Sequence, residues 1–321
     1  MSGGIRVFWS LEEAAGRFGP CALTIGNFDG VHAGHRRILR RVVAVARERG
    51  WKPSALSFDP HPTRIVATER APRLMTTPAR RASLMGEEGI EQLLVLPFTP
   101  EFSRLTPEEF ARQVLVEALD ARAVLVGDNF RFGHEHAGDT RTLAELGRRL
   151  GFSTEVIPAI RMRGRIVSSS EVRRLVEAGN VSLACRLLET PFAIEGEVAP
   201  GRGIGSKQTV PTLNLVPGDG LVPATGVYVT RTRDLDSPRV WDSITNCGRR
   251  PTFGGGELTV ETYLLDPLEG PAPRAIRVQF LRRLREERKF PSAEALKEQI
   301  MRDVARARKY FRRTAPVLGR K

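Results

Sequence analysis

Residues 24–35 read TIGNFDGVHAGH. The apolar, β-prone run ALTI (22–25) stops at Gly26, a polar turn carrying a second glycine follows, and a helical pattern begins. In that pattern Ile38, Leu39, Val42, Val43 and Ala46 share one face, with Arg36, Arg37, Arg40 and Arg47 largely off it. A strand passing through a glycine turn into a helix is the unit from which parallel sheets are built. Further strand-like runs follow at SALSF (54–58), QLLVLPF (92–98), AVLVG (123–127) and TEVIP (154–158), with helical segments between them. One of those segments opens at Thr106-Pro107-Glu108-Glu109, an N-cap followed by proline and early acids. The alternation predicts an α/β domain with a parallel sheet covered on both faces.

From about residue 190 the pattern changes. FAIEGEV, QTVPTLNLV, GVYVTRT, VWDSITN, LTVETYLL and AIRVQFL follow one another with glycine and proline turns and no helices between them. Six such runs predict an antiparallel barrel. One helix closes the chain, opening near Ser292 and running through Leu296, Ile300, Val304 and Ala307. The helix VSLACRLL precedes the change, so the predicted domains are residues 1–186 and 187–321.

Composition narrows the class. The 321 residues suffice for two cores, and 41% apolar with 27% charged residues is ordinary for a globular protein. Cys21, Cys185 and Cys247 are dispersed and form no CxxC pair, which argues against a disulfide framework and a thiolate metal site. No secretory pattern opens the chain and no 18-residue apolar run occurs, so a cytoplasmic protein without membrane attachment is expected. The net charge of +13 invites a nucleic-acid reading, yet only six of the 50 basic residues are lysine. Arginine-rich helical faces such as RRILRRVVAVARER read as solvated surface, and no nucleic-acid partner is expected.

A parallel sheet carries its chemistry in the loops after the carboxyl ends of its strands. Here those loops are GNFDGVHAGH, FDPHP, PFTPEF and GDNFRFGHEHAGD. Gly26 and Gly30 allow a tight turn and close approach of a ligand to the backbone. His32 and His35 fall at the start of the following helix, whose free N–H groups and positive dipole end favour phosphate. Two imidazoles there are suited to charge developing on a phosphate in transfer. A metal is the alternative use of such a pair, but no third ligand is evident and the glycines favour phosphate. At SSSEVR (168–173), Ser168 stands three residues ahead of Glu171, the spacing of a capping box at a second anion-ready helix start.

The second half offers a glycine-rich basic loop, APGRGIGSKQTVPTLNL, ending in Thr212 and Asn214. Alternate strand residues point the same way, so these two present neutral oxygens to one side, as suits Mg²⁺ shared with substrate phosphates. Glu261 is a carboxylate on an alternating strand and a candidate general base. A surface hairpin and an outward-facing glutamate remain the plain alternatives.

GNFDGVHAGH resembles the first signature of the HxGH nucleotidyltransferase superfamily, and SSSEVR resembles its second. With FDPHP and VGDNFRFG added, the first half is similar to the FMN adenylyltransferase domain of bacterial bifunctional riboflavin kinase/FAD synthetases. That resemblance implies a Rossmann-like sheet and transfer of AMP from ATP to FMN, with release of pyrophosphate and assistance from Mg²⁺. It implies that His32 and His35 engage the ATP phosphates. It further implies that Gly26, Asn27, Phe28, Asp29, Gly30, Phe58, His61, Asn129, Ser168, Ser169, Ser170 and Arg173 line the ATP or flavin side.

The second half resembles the family's riboflavin kinase, a small six-stranded barrel with a terminal helix. PTLN matches its PTAN motif, NCGRRPTF (246–253) its N-x-G-x-x-P-T-F segment, VETYLLD its catalytic strand and LREERKF (284–290) its LRxExKF element. The resemblance implies Mg²⁺ and ATP at Thr212 and Asn214, and Glu261 as the base for the riboflavin hydroxyl. It adds Gly201, Gly203, Lys207, Pro211, Asn246 and Arg285 to the nucleotide or flavin site. The link GIGSKQTVPTLN is about two residues longer than the family pattern, with Thr209-Val210 in place of Gly-Phe. Loop insertions are thermodynamically cheap, so the barrel is expected to survive it. Lys207 in that link is either a phosphate contact or a solvated lysine.

The leading expectation is therefore an enzyme that makes FMN and then FAD. The runner-up keeps only the adenylyltransferase, with an impaired or altered kinase module. A basic nucleic-acid-binding protein explains the charge but leaves the loop motifs unexplained.

Overall fold

The computed structural model describes residues 4–199, 212–250 and 257–318. The chain divides into two compact units, Met1–Ser169 and Ser170–Lys321.

The first unit is built on six strands: β1 (Arg6–Phe8), β2 (Cys21–Ile25), β3 (Lys52–Asp59), β4 (Gln92–Pro97), β5 (Ala121–Gly127) and β6 (Ser153–Ile157). All neighbours are parallel, in the order β1-β4-β3-β2-β5-β6. Five of the six coincide with the strands expected from the sequence; β1 is added at one edge. A two-stranded hairpin, β7 (Arg161–Met162) with β8 (Arg165–Ile166), follows. The helices are α1 (Leu11–Ala14), α2 (Ala33–Arg49), α3 (Thr63–Val66), α4 (Pro78–Glu87), α5 (Pro107–Glu109) and α6 (Thr140–Leu150).

Strand alternation splits the core in two. Ala22, Leu93, Val95 and Leu125 face Leu39, Val42, Val43 and Ala46 of α2 and Leu84 and Met85 of α4. Leu23, Ile25, Leu94 and Leu96 face Phe110, Val114, Leu143 and Leu146 on the other side. Removing both faces from water is the main favourable term for this unit.

Two local expectations are corrected. Arg36, expected largely off the packed face of α2, is only 6% exposed, and its guanidinium meets the Glu88 carboxylate. Arg40 binds the same carboxylate at 2.6 Å, so Glu88 neutralises two cations on successive turns. The helix at Thr106 starts as expected, with Thr106 and Glu109 forming a reciprocal capping box. After Glu109, however, the chain winds as a π-helix over Phe110–Ala118.

The second unit opens with α7 (Ser169–Glu177) and α8 (Val181–Leu188). Six strands follow: β9 (Phe192–Ala199), β10 (Thr212–Leu215), β11 (Gly226–Asp234), β12 (Val240–Arg250), β13 (Glu257–Leu264) and β14 (Ala275–Arg285). They close into an antiparallel barrel ordered β10-β13-β12-β11-β14-β9. The helix α9 (Ala293–Leu318) lays Val304, Ala307 and Phe311 over Val227, Val229, Ile244 and Leu281 on the outside. Helix α8 belongs to this unit as well: Ser182 Oγ donates to Leu281 O at 3.0 Å on β14.

Inside the barrel the apolar filling is interrupted by a row of buried hydroxyls. Thr232, Ser243, Thr230, Thr245 and Thr262 are joined in that order by contacts of 2.8, 2.9, 2.8 and 3.0 Å across β11, β12 and β13. Every one of them has a partner, so the row avoids the penalty of buried unpaired polar groups.

Candidate active sites

In the parallel sheet the strand order reverses between β2 and β5, the crevice position where open α/β sheets bind ligands. The loops after β4, β3, β2 and β5 stand side by side along this edge. They are the four chemically rich loops of the sequence.

His32 is the N-cap of α2, and its Nδ1 accepts from the backbone N–H of His35 at 3.3 Å. The two imidazoles stack, with centroids 3.6 Å apart and planes 15° from parallel. Beneath them lies Gly34, where a Cβ would stand 3.1 Å and 3.2 Å from two atoms of the His32 ring. Gly30 adopts φ 81°, the left-handed conformation its lack of a Cβ permits.

Phe28 and Asp29 occupy the same turn but are 2% and 1% exposed. Phe28 packs its ring edge-on against His35. The Asp29 carboxylate accepts from the Met75 and Thr76 backbone N–H groups at 3.0 Å, and from Thr76 Oγ1 at 3.0 Å. Thr76 Oγ1 also accepts from Gly30 N at 3.1 Å. Both side chains are therefore packed inside the turn and brace its backbone, although both are expected from the sequence to line the ligand. Asn27 reaches across to the second loop: its amide nitrogen stands 3.1 Å from His61 Nε2, and His61 Nδ1 accepts from Thr63 N. Gly26 is tied to β3 through Leu56 O.

Phe58 begins an aromatic chain. It meets Phe98 and Phe102 at 5.5 and 6.0 Å, and Phe102 leads to Phe110 and Phe132. Phe58, Phe98 and Phe102 are all partly exposed. Asn129 is exposed just past the end of β5. Ser169 Oγ donates to Asp29 O at 3.0 Å, which joins the start of the SSSEVR segment to the histidine turn, and Ser168 is half-buried beside it. Ser170 is exposed and Arg173 half-buried on α7, within the second unit. The sequence reading passed over Gly34, Thr76, Phe98 and Phe102. HAGH spacing alone marks Gly34, and PFTPEF marks the two phenylalanines.

In the barrel, register assembles the second group. Asn214 on β10 pairs directly with Glu261 on β13, and Glu261 pairs with Asn246 on β12. Thr212 pairs with Tyr263 two positions along. Leu213, Leu215, Val260 and Thr262 turn into the barrel and are buried. Thr212, Asn214, Glu261 and Asn246 thus share the opposite, outer face. Tyr263 Oη lies 3.5 Å from a Glu261 carboxylate oxygen. Arg285, at the end of β14, donates from Nε to Asp303 of α9 at 2.8 Å and lies over the Phe290 ring. Its guanidinium is thereby held against the helix, a partner the sequence did not predict. Gly201, Gly203, Lys207 and Pro211 lie outside the described residues.

Two family models match the chain: one described as FAD synthetase over residues 16–171, the other as riboflavin kinase over residues 188–311. The chain is 39% identical over 289 residues to the bifunctional riboflavin kinase/FMN adenylyltransferase of Pseudomonas fluorescens, a match covering 90% of this chain and 92% of that protein. This chain belongs to that bifunctional family. The Escherichia coli strain K12 protein of the same description is 35% identical over 296 residues, covering 92% and 94%. A crystallised chain described as a macrolide-efflux protein from Streptococcus pneumoniae superposes with a TM-score of 0.83 at 25% identity, covering 94% of this chain and 98% of that one. The efflux description belongs to that protein; among the described residues here, no helix is long and apolar enough to cross a membrane. The FAD synthetase match precedes the riboflavin kinase match, the order in which this sequence carries the corresponding motifs.

Proposed function

We propose that this chain converts riboflavin to FMN at the barrel and FMN to FAD at the parallel sheet, using ATP in both steps. The functional modules are residues 1–186 for adenylyl transfer and 187–321 for phosphorylation. Riboflavin, FMN, FAD and ATP are the small molecules it handles. In this reading it works in the cytoplasm without nucleic-acid or membrane partners.

The observation that carries the first step is the hydrogen bond from His35 N to His32 Nδ1. An Nδ1 that accepts leaves the proton of a neutral imidazole on Nε2. His32 therefore offers an N–H donor at the positive end of α2, where phosphate charge is favoured. An oxygen of the FMN phosphate bonds to the α-phosphorus of ATP as the bond to the departing pyrophosphate breaks. Charge grows on the phosphate oxygens, and a donor fixed in place stabilises it without reorganisation. His35, stacked on His32, acts beside it. Gly26, Asn27 and Gly30 present backbone to the phosphates, Ser168 and Ser169 flank them, and His61 and Asn129 border the nucleotide. Phe58, with Phe98 and Phe102, offers a surface for the flat flavin ring. Ser170 and Arg173 are assigned to ATP on the resemblance alone.

In the second step the Glu261 carboxylate takes the proton of the riboflavin 5′-hydroxyl as that oxygen attacks the γ-phosphorus of ATP and ADP departs. Thr212 and Asn214 offer neutral oxygens on one face, with the Glu261 carboxylate in register beside Asn214. That oxygen-only set fits a hard divalent ion. Mg²⁺ held there would neutralise phosphate charge. Asn246 completes the row, Gly201, Gly203, Lys207 and Pro211 belong to the nucleotide loop, and Arg285 fixes the end of β14.

The test is one incubation of the purified protein with riboflavin, ATP and Mg²⁺, with flavins resolved by chromatography. FMN followed by FAD is expected. FAD from supplied FMN, with no FMN from riboflavin, assigns the chain to adenylyl transfer alone. Formation of neither flavin overturns the reading.

A further inference from the structure

Helix α4 carries a residue that its packing alone does not explain. Arg81 is 3% exposed and shares the buried face of α4 with Leu84 and Met85. An apolar side chain is what this position would take for packing. Instead a guanidinium is buried there, which is costly unless its donors find acceptors.

Those acceptors belong to the adenylyl-transfer edge. Arg81 Nη1 donates to Ser57 Oγ at 2.6 Å and to Phe58 O at 3.2 Å. Ser57, itself fully buried, donates onward from Oγ to Asn27 O at 3.2 Å. Asn27 in turn stands against His61 in the second loop. One cation thus holds the end of β3 and, through a single hydroxyl, the backbone of the histidine turn. Burial disfavours its charge, while the carboxylates of Asp29 and Asp59 favour it. Its Nε is buried with no hydrogen-bond partner, so the residue is not fully satisfied by its structural contacts.

We propose that Arg81 is a positioning residue for adenylyl transfer, setting the histidine turn through the relay Arg81–Ser57–Asn27. The inference rests on the assignment of that turn to FAD formation. Because the relay sets geometry for charge that develops during transfer, its loss falls on kcat and leaves KM for ATP little changed.

Four variants test it: R81M, R81K, S57A and R81M/S57A, each measured for FAD from FMN and for FMN from riboflavin. R81M is expected to lower kcat for FAD formation about 10- to 100-fold, the scale of a small misplacement of catalytic groups. Its FMN formation stays at the parent rate. R81K recovers part of the loss, and the double variant is no slower than R81M alone, as expected for two members of one relay. If R81M does not fold, S57A and R81K carry the same comparison. Unchanged kcat in the folded variants, a loss confined to KM, or losses that multiply in the double variant would overturn the proposal. H32A, run in parallel, separates the two levels. If H32A still forms FAD, the site assignment itself fails; if H32A is inactive while R81M matches the parent, only the role of Arg81 is lost.

Discussion

The imidazole of His32 accepts the backbone N–H of His35 at 3.3 Å and lies flat on the His35 ring, 3.6 Å between centroids. One side chain therefore serves twice: it caps α2 through Nδ1, and in the proposed mechanism its Nε2–H serves the phosphate. Capping and chemistry make different demands, so they can be separated by substitution.

His32→Ala should abolish FAD formation, leave FMN formation intact, and lower stability by about 1 kcal/mol through the lost cap. His32→Asn, which restores a good N-cap, should recover the stability and none of the FAD. Thermal unfolding alongside both flavin assays reads the difference. Recovery of FAD formation by asparagine would mean that the cap alone mattered.

Gly34→Ala should show the reverse balance. Alanine gains up to about 1 kcal/mol over glycine within a helix, but here its methyl would press on the His32 ring at 3.1–3.2 Å. Melting temperature should hold or rise while the rate of FAD formation falls. A variant as fast as the parent would show that the ring has room to move.

Glu261→Gln keeps the size and register beside Asn214 and Asn246 but removes the proton acceptor. FMN formation from riboflavin should fall by about two to four orders of magnitude, the usual contribution of a positioned general base, while FAD formation from supplied FMN persists. Loss of both activities in a folded protein would contradict two independent sites.

Asp139 caps α6 by accepting from Thr142 N, Thr142 Oγ1 and Arg141 N, and these contacts hold its carboxyl below the usual range. A depressed pKa in the folded state means a contribution present above the unfolded value, near 3.9, and lost as pH falls through the folded one. Asp139→Asn keeps the cap and removes the titration. The stability advantage of the parent over this variant should therefore shrink in acid, below about pH 4. Chemical denaturation at pH 7 and pH 3 would show it, and a constant difference would count against it.

The thiols should be inert in the native protein. Burial pushes Cys21 and Cys247 up to about 12, and Cys185 up to about 11. Iodoacetamide at pH 8 is expected to leave all three unmodified until the protein is denatured, when mass spectrometry should count three adducts. Rapid native labelling of Cys21 would indicate that β2 opens readily.

Much of this molecule is legible in its residues because periodicity and turn chemistry are local. Five strands of the sheet and all six of the barrel announce themselves that way. RVF, the whole of β1, is too short to show a period, and the π-winding of Phe110–Ala118 follows a capping box that looks the same as an α-helical one. What faces a ligand is harder to read, because it depends on partners distant in sequence. Nothing near Asp29 reveals that Met75 and Thr76 will claim its carboxylate. Nothing near Arg285 reveals that α9 will bring Asp303 beside it. Arg81 is hidden by company: in a chain with so many arginines, one more on a helix carries no signal.

The buried hydroxyls of Thr232, Ser243, Thr230, Thr245 and Thr262 act as a key that fits at one alignment of β11, β12 and β13. A slip of one residue would turn them to the outer face of the barrel, and a slip of two would set them opposite different partners. An all-aliphatic lining would tolerate such sliding far better. The same alignment decides which outer residues stand side by side, so a lattice of hydroxyls sealed inside the barrel governs the pairing of Glu261 with Asn246 on the far side of the wall.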